Sequence, residues 1–341
     1  MTSKFKNAIY SIFLILLIWI VWKFRSADRP EPIILTGKTM GTTYRIIYFD
    51  KAQKNYQAEV DSSLQVFNKS LSTYLQDSEI SLFNNGRSIT FSLPYFLPVL
   101  NRSAEIVKES DGAFDPTVMP LVNAWGFGPG KKSTPDSLQI DSIMQFVGFD
   151  KIQFNKDSVW KLDARVQLDF SAIAKGYGVD VVTSLIKSHG VEDLFVEIGG
   201  EISAHGKNRQ LDKAWEAGIL DPDSDYAHQS FKAYVSLSDK AMATSGNYFN
   251  YYEVDGKKYS HTINPKTGYS IRHELLSASV FADDCMTADA WATAFMVMGA
   301  DKAMSTLSNQ TAIDAFLIYT SPSGLKTYVT KGIESVLKVN P

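Results

Sequence analysis

Three groups of residues in this 341-residue chain have types and spacings suited to phosphate or metal chemistry. Asp169 and Lys175 flank a change of pattern: Val166, Leu168 and Phe170 alternate as a strand does, while Ile173, Tyr177, Val181 and Leu185 recur at helical spacing until Gly190. The chain is therefore expected to pass from strand to helix there. Free N–H groups and the positive end of the helix dipole suit a phosphate, and Lys175 adds a formal charge. Asp169 fits such a site if the ligand also offers donors, or if a cation lies between carboxylate and phosphate. The plain alternative is a helix start with a surface lysine and a capping aspartate. Asp289 and Thr293, four residues apart, put a carboxylate and a hydroxyl on one helical face. Such oxygens suit Mg²⁺, although an aspartate near a cap and a threonine bonding its own backbone would look the same. His261 precedes a turn signal at Asn264-Pro265 and Gly268, and its imidazole can accept a proton from a hydroxyl near neutral pH. A histidine that only bonds the turn backbone is the alternative.

The elements expected to position these groups follow in order. Strand-like runs at 33–36 and 42–49 are joined by 37–41, where Gly37 and Gly41 bracket the turn. Tyr56, Val60, Leu64, Phe67 and Leu71 mark a helix, and a loop with Tyr74 leads to a short helix capped by Asp77 or Ser78. Tyr74 can stack on a ligand ring or fill a gap. A helix through Leu97, Leu100, Ala104 and Val107 ends at Asp111-Gly112. The irregular apolar segment 113–128, which carries Asp115, reads as a binding loop. A helix at 141–146, a hairpin at 151–162 and a strand at 193–198 follow, the last running into Gly199-Gly200-Glu201, where bare backbone can approach a ligand. Strands are expected at 214–220, 233–236, 251–263 (with a hairpin signal at Asp255-Gly256) and 275–281. Small and hydroxylated residues gather at 241–248 and 261–268. Thr287 is expected to cap a helix that runs to Val297, with Gly299 at its end.

Length and a 45% hydrophobic composition allow one large domain or two intimate ones with a full core, and argue against disorder. The net charge is −3, yet residues 1–30 are basic, with Lys4, Lys6, Lys23, Arg25 and Arg29 against Asp28. The remaining body is more acidic than the whole, which speaks against nucleic acid as a partner. Cys285 is the only cysteine, so neither an intrachain disulfide nor a cysteine zinc site is available.

Residues 8–22 form an apolar run with basic residues on both sides. This suits a signal sequence or a membrane span. With no clean small-x-small cleavage signal, residues 1–27 are read as an uncleaved anchor, 28–32 as a linker and 33–341 as the folded domain. The expected location is the inner (cytoplasmic) membrane, with the folded domain on the periplasmic or extracytoplasmic side.

Taken in order, Thr-Met-Gly-Thr at 39–42, Ser-Thr-Tyr at 72–74, Asp-Gly-Ala-Phe-Asp-Pro-Thr at 111–117, Asp-x-x-x-Ile-Ala-Lys-Gly from 169 and Gly-Gly-Glu at 199–201 resemble the ApbE family. So do Ala-Thr-Ser-Gly at 243–246, His-x-Ile-x-Pro-x-Thr-Gly from 261 and Thr-Ala-Asp-Ala-x-Ala-Thr from 287. Members of this family are FAD:protein FMN transferases. The resemblance implies an α+β fold of two interlocked subdomains with mixed or antiparallel sheets. It implies that Met40, Tyr74, Ala113, Phe114, Asp115, Asp169, Lys175 and Ile263 hold FAD, and that the Ala172 carbonyl, Asp289 and Thr293 hold Mg²⁺. It also implies transfer of FMN from FAD to a threonine hydroxyl of a partner protein with release of AMP, the partner being an exported or membrane-associated redox subunit. His261 is the candidate base.

The chain departs from the family pattern at Asn264, where an aspartate is usual, and at Ser171-Ala172, where two glycines are usual. No cysteine is available for lipid attachment near the N-terminus. Two other functions share the same contacts: a FAD pyrophosphatase, with water in place of the threonine, and a non-catalytic flavin-binding protein tethered to a membrane.

Overall fold

A computed structural model describes residues 10–19, 30–128, 134–222, 224, 230–247, 251–254 and 257–340, with the backbone alone at 251–254 and 257–259. Residues 10–19 are helical with exposed apolar side chains, the middle of the run read as an anchor. The rest of that run, the Asp255-Gly256 hairpin signal and Tyr248 lie outside the described residues. Among the described residues no helix is long and apolar enough to cross a membrane.

The body begins with a hairpin of β1 (Ile33–Thr39) and β2 (Thr42–Tyr48). Helices α1 (Gln57–Leu71) and α2 (Glu79–Asn85), strand β3 (Ser88–Thr90) and helix α3 (Phe96–Glu109) follow. After the loop come α4 (Met119–Ala124), α5 (Ser137–Met144), β4 (Ile152–Phe154) and β5 (Ser158–Lys161). The long helix α6 (Ala174–Ser188) leads into β6 (Leu194–Ile198), β7 (Glu201–His205), β8 (Trp215–Leu220), β9 (Phe231–Leu237) and β10 (Lys240–Gly246). A small hairpin, β11 (Tyr251–Val254) and β12 (Lys257–Ser260), precedes β13 (Leu275–Ala282) and the helices α7 (Cys285–Met298) and α8 (Ala300–Asn309). The chain closes with β14 (Asp314–Ser321), β15 (Gly324–Val329), α9 (Lys331–Glu334) and β16 (Leu337–Val339).

The fold is α+β. One eight-stranded sheet runs in the order β1-β2-β6-β7-β10-β13-β14-β15, and three-stranded sheets β16-β9-β8 and β3-β5-β4 accompany it. Every named strand pair among the described residues is antiparallel, so of the two expected sheet types only one occurs. Side chains of the main sheet alternate between two cores. On one face Ala243, Ala278 and Val280 pack with α7 residues Trp291 and Phe295, while Val196 and Ile198 pack with Val179 and Val182 of α6. On the other face Met242, Phe281 and Phe316 meet Ala217 and Val235 of the β8-β9-β16 sheet.

Several expectations need correction. Residues 166–170 alternate in burial as a strand would, but they join no sheet. The Asn84 side chain instead accepts from Leu168 N–H at 2.7 Å and donates to its carbonyl at 2.8 Å, replacing a neighbouring strand. The first hairpin turns at Met40-Gly41, not across 37–41, because both residues adopt positive φ (49° and 73°) and Thr39 pairs with Thr42. Most of the small-residue segment 241–248 belongs to β10 (Lys240–Gly246) in the middle of the sheet, where small side chains let α7 pack closely. Helix α7 starts at Cys285 with Asp284 as its cap, whose carboxylate accepts from Thr287 N–H at 2.7 Å. Helix α5 starts at Ser137, four residues before the expected start, because Asp136 and Gln139 form a capping box.

Candidate active site

One cavity of about 910 Å³ opens at the end of the main sheet, near the upper size for small-molecule sites. Two hairpin tips make one wall. Met40 comes from the β1–β2 turn and Gly199, Gly200 and Glu201 from the β6–β7 turn, where both glycines have positive φ. Gly199 N–H donates to Thr43 O at 3.0 Å, which locks the tips side by side. The entry to α6 supplies Asp169, Ala172 and Lys175, α7 supplies Asp289 and Thr293, and β10 supplies Thr244, Ser245 and Gly246. The loop after α3 contributes Ala113, Phe114 and Asp115, and the turn after β12 contributes His261 and Ile263. Tyr74 stands at the cavity 80% exposed, an aromatic face free to cover a planar ring. Every candidate cofactor-binding, metal-binding and catalytic residue named from the sequence thus borders the same space.

The charged end of the cavity is built around Lys175. Its Nζ lies 2.5 Å from Glu201 Oε1 and 3.7 Å from Asp289 Oδ1, with Glu201 2% and Asp289 3% exposed. Burial alone would lower the lysine pKa, but Asp289 and Glu201 outweigh it and hold the ammonium above its usual range. Burial pushes Glu201 up to about 7, opposed by Lys175 and reinforced by Asp289. Glu201 Oε2 is buried with no hydrogen-bond partner, so this carboxylate is only half satisfied by protein. With Glu201 ionised, as an approaching cation would favour, two buried carboxylates against one ammonium leave an excess of negative charge.

The first turn of α6 does not present all its N–H groups to a ligand. Gly176 N–H donates to Asp289 Oδ2 at 2.9 Å, so the carboxylate of α7 holds part of the site read from sequence as a phosphate cradle. Asp169 Oδ1 accepts from Ser171 N–H at 2.8 Å, so it caps the turn as well as facing the cavity. Burial raises its pKa against the bonds from Ser171. Asp115 is committed to its loop: Oδ1 accepts from Thr117 N–H and Oγ1, and Oδ2 from Phe149 N–H. Thr293 Oγ1 lies 3.1 Å from Ser245 Oγ on the neighbouring strand. His261 is exposed at the rim, its ring 6.4 Å from that of Phe127 and edge-on to it.

Asn264 explains how the chain tolerates its departure from the family pattern. Its side-chain oxygen accepts from Lys266 N–H at 2.9 Å and Thr267 N–H at 3.3 Å, a turn-closing role that an amide fills as well as a carboxylate. Glu201 and Ser245 were not nominated from the sequence. The available signal for Glu201 was a carboxylate directly after two glycines; that it opens a strand buried on both faces is seen only in the structure. Asp180, which no sequence motif marks, accepts the N–H groups of Cys285 and Met286, each at 2.8 Å, and so joins α6 to the start of α7.

The same architecture recurs in known proteins. A sequence model of the ApbE family matches residues 40–317. The chain is 37% identical over 322 residues to the FAD:protein FMN transferase of Haemophilus influenzae, covering 90% of this chain and 91% of the relative. It is 37% identical over 324 residues to the protein of that name from Vibrio cholerae, covering 91% and 94%. The solved flavin transferase ApbE of Vibrio cholerae superposes with a TM-score of 0.81 at 35% identity, covering 90% of this chain and 99% of that one. The apo flavinyl transferase ApbE of Pseudomonas stutzeri gives 0.79 at 33% identity, covering 90% and 96%. With this cavity, this sheet order and matches over nine-tenths of its length, the chain belongs to the ApbE family.

Proposed function

We propose that the protein transfers the FMN moiety of FAD to a threonine hydroxyl of an exported or membrane-associated redox protein and releases AMP, with Mg²⁺ held at Asp289, Thr293 and the Ala172 carbonyl. The observation that carries the reading is the cluster of Lys175, Glu201 and Asp289 at one end of a cavity of dinucleotide size. Its excess negative charge accommodates a pyrophosphate only with a further cation. The residues fit one: the donors are a carboxylate, a hydroxyl and a main-chain carbonyl, all hard oxygens, and Glu201 Oε2 is a buried oxygen without a partner. When bound, Mg²⁺ supplies neutralisation of the pyrophosphate charge.

The side chains divide the remaining work. Lys175 offers its ammonium to the phosphates, and Gly199-Gly200 lets them approach bare backbone. Tyr74 covers the flavin ring. His261, at the rim where a partner protein arrives, accepts the hydroxyl proton. The threonine Oγ–phosphorus bond forms as the phosphorus–oxygen bond to AMP breaks, and AMP carries away the pair of electrons. Incubation with FAD, Mg²⁺ and a threonine-bearing acceptor, followed by in-gel flavin fluorescence, tests this reading. A fluorescent acceptor band that EDTA removes is expected; an unlabelled acceptor overturns it.

The apolar run at 8–22 supports retention at the inner membrane, and the body is proposed to lie on the periplasmic or extracytoplasmic side; basic residues on both flanks of the run leave the charge count equivocal about that orientation. Membrane fractions should hold a protein that still begins at Met1; a soluble form starting near Ala27 would show a cleaved signal instead.

A further inference from the structure

Strand β10 is paired along its length with β13, but with β7 only at Lys240, Ala241 and Met242. Strand β7 begins at Glu201, behind the Gly199-Gly200 turn, so among the described residues the other edge of β10 is unpaired from Ala243 onward. Asn247 N–H donates to Leu276 O at 3.2 Å and continues the β13 register. Main-chain groups alternate sides in an antiparallel ladder, so those of Ala243 and Ser245 point to β13 and those of Thr244 and Gly246 to the open edge. Among the described residues neither Thr244 nor Gly246 finds a main-chain partner there. Both are half-buried and both line the cavity. A strand edge left open inside a cavity, beside the charged cluster, calls for an extended peptide as its occupant.

We propose that this edge is the docking track of the acceptor protein: an extended acceptor segment adds to β10 in line with β7, exchanges main-chain hydrogen bonds with Thr244 and Gly246, and places its hydroxyl residue opposite Ser245. The inference rests on the transfer reaction proposed above and adds where and how the acceptor is held. Residues opposite one another on neighbouring strands share a face. The face of Ser245 is that of the helices, where its Oγ meets Thr293 one turn along α7 from Asp289. A hydroxyl there stands at the cation and phosphate end. The residues on either side of it fall on the opposite face with Thr244, where Gly218 of β8 borders the cavity without a side chain. Recognition through the main chain makes the acceptor's sequence matter little beyond the hydroxyl and small flanking residues.

The pairing makes an alternating prediction that a side-chain-directed site would not. The probe is a pentapeptide library, acetyl-Xaa-Xaa-Thr-Xaa-Xaa-amide, incubated with the full-length protein, FAD and Mg²⁺ and read by mass for covalent FMN. N-methylation of either residue next to the threonine removes a donor aimed at β10 and should lower labelling at least tenfold. N-methylation of the threonine itself, whose N–H points away, should change it less than threefold. Gly246→Pro deletes one N–H aimed at the open edge, on the side away from the β13 ladder, and should raise the library KM at least tenfold. Equal loss at all three methylated positions, or an unchanged KM in Gly246→Pro, overturns the docking track. A protein that attaches FMN to an intact acceptor protein yet labels no library member also overturns it, whereas one that releases AMP and free FMN and labels neither the library nor an intact acceptor protein refutes the transferase reading itself.

Discussion

Gly176 N–H donates to Asp289 Oδ2, so the start of one helix is fastened to the carboxylate of another at the charged end of the cavity. A glycine is required for that approach. A Cβ at position 176 would lie 2.2 Å from Cys285 O and 2.8 Å from the Asp289 Cβ. Gly176→Ala should therefore lose more to overpacking, about 1–3 kcal/mol, than alanine returns in helix propensity, at most about 1 kcal/mol. The urea midpoint should fall with an unchanged slope. A midpoint at or above the wild-type value would show that α6 and α7 separate freely, and that the bond does not fix Asp289.

Asp289 has two duties that one substitution separates. Asp289→Asn keeps an oxygen for Gly176 N–H but removes the charge, so the variant should fold normally while Mn²⁺ binding, read by EPR, weakens at least tenfold. AMP formation should vanish, and FAD binding should weaken less, because most cavity contacts lie elsewhere. Full activity in the presence of EDTA would contradict the metal assignment.

The chain order and chemistry of the site were largely legible in the sequence, since carboxylate, lysine, hydroxyl and histidine stood in motifs of distinctive spacing. The supporting framework was less so. Residues 166–170 alternate like a strand, yet a single side chain, Asn84, supplies their hydrogen bonds, and nothing local announces that substitution. Lys161 is similar: its ammonium donates to the carbonyls of Asn84, Ala164 and Val166, contacts made by the tertiary fold alone. Residues 240–246 lack the bulky β-formers that mark strands because α7 packs against them, so burial overrode propensity. Glu201 was hidden by its neighbours, whose glycines drew attention to the backbone.

Asp180 should make stability depend on pH in a defined window. Burial raises its pKa from 3.8 to about 7, against the two backbone N–H groups that favour the charged form. The folded state thus holds a proton that the unfolded chain releases between these values, so stability falls as pH rises from about 4 to 7, with a limiting slope of about 1.4 kcal/mol per pH unit, and levels off above. Asp180→Asn removes this dependence. The stability advantage of wild type over the variant, from urea titrations, should shrink across that window; an advantage that grows with pH would reverse the assignment.

His261 should act on rate and not on binding. His261→Ala should bind FAD with near-native affinity and transfer FMN about 10² to 10⁴ times more slowly, with the rate no longer falling at mildly acid pH. Parallel loss of FAD binding and of the thermal transition would assign the residue to the turn that follows it.

The central claim is that one phosphorus moves from FAD to a protein hydroxyl. It is tested most directly by counting both products of a single incubation with FAD, Mg²⁺ and acceptor: AMP by chromatography, and acceptor-bound FMN by intact mass. Equal amounts of AMP and covalent FMN, with the flavin mapped to a threonine, are the expected result. AMP accompanied by free FMN and an unmodified acceptor would instead make the protein a FAD pyrophosphatase.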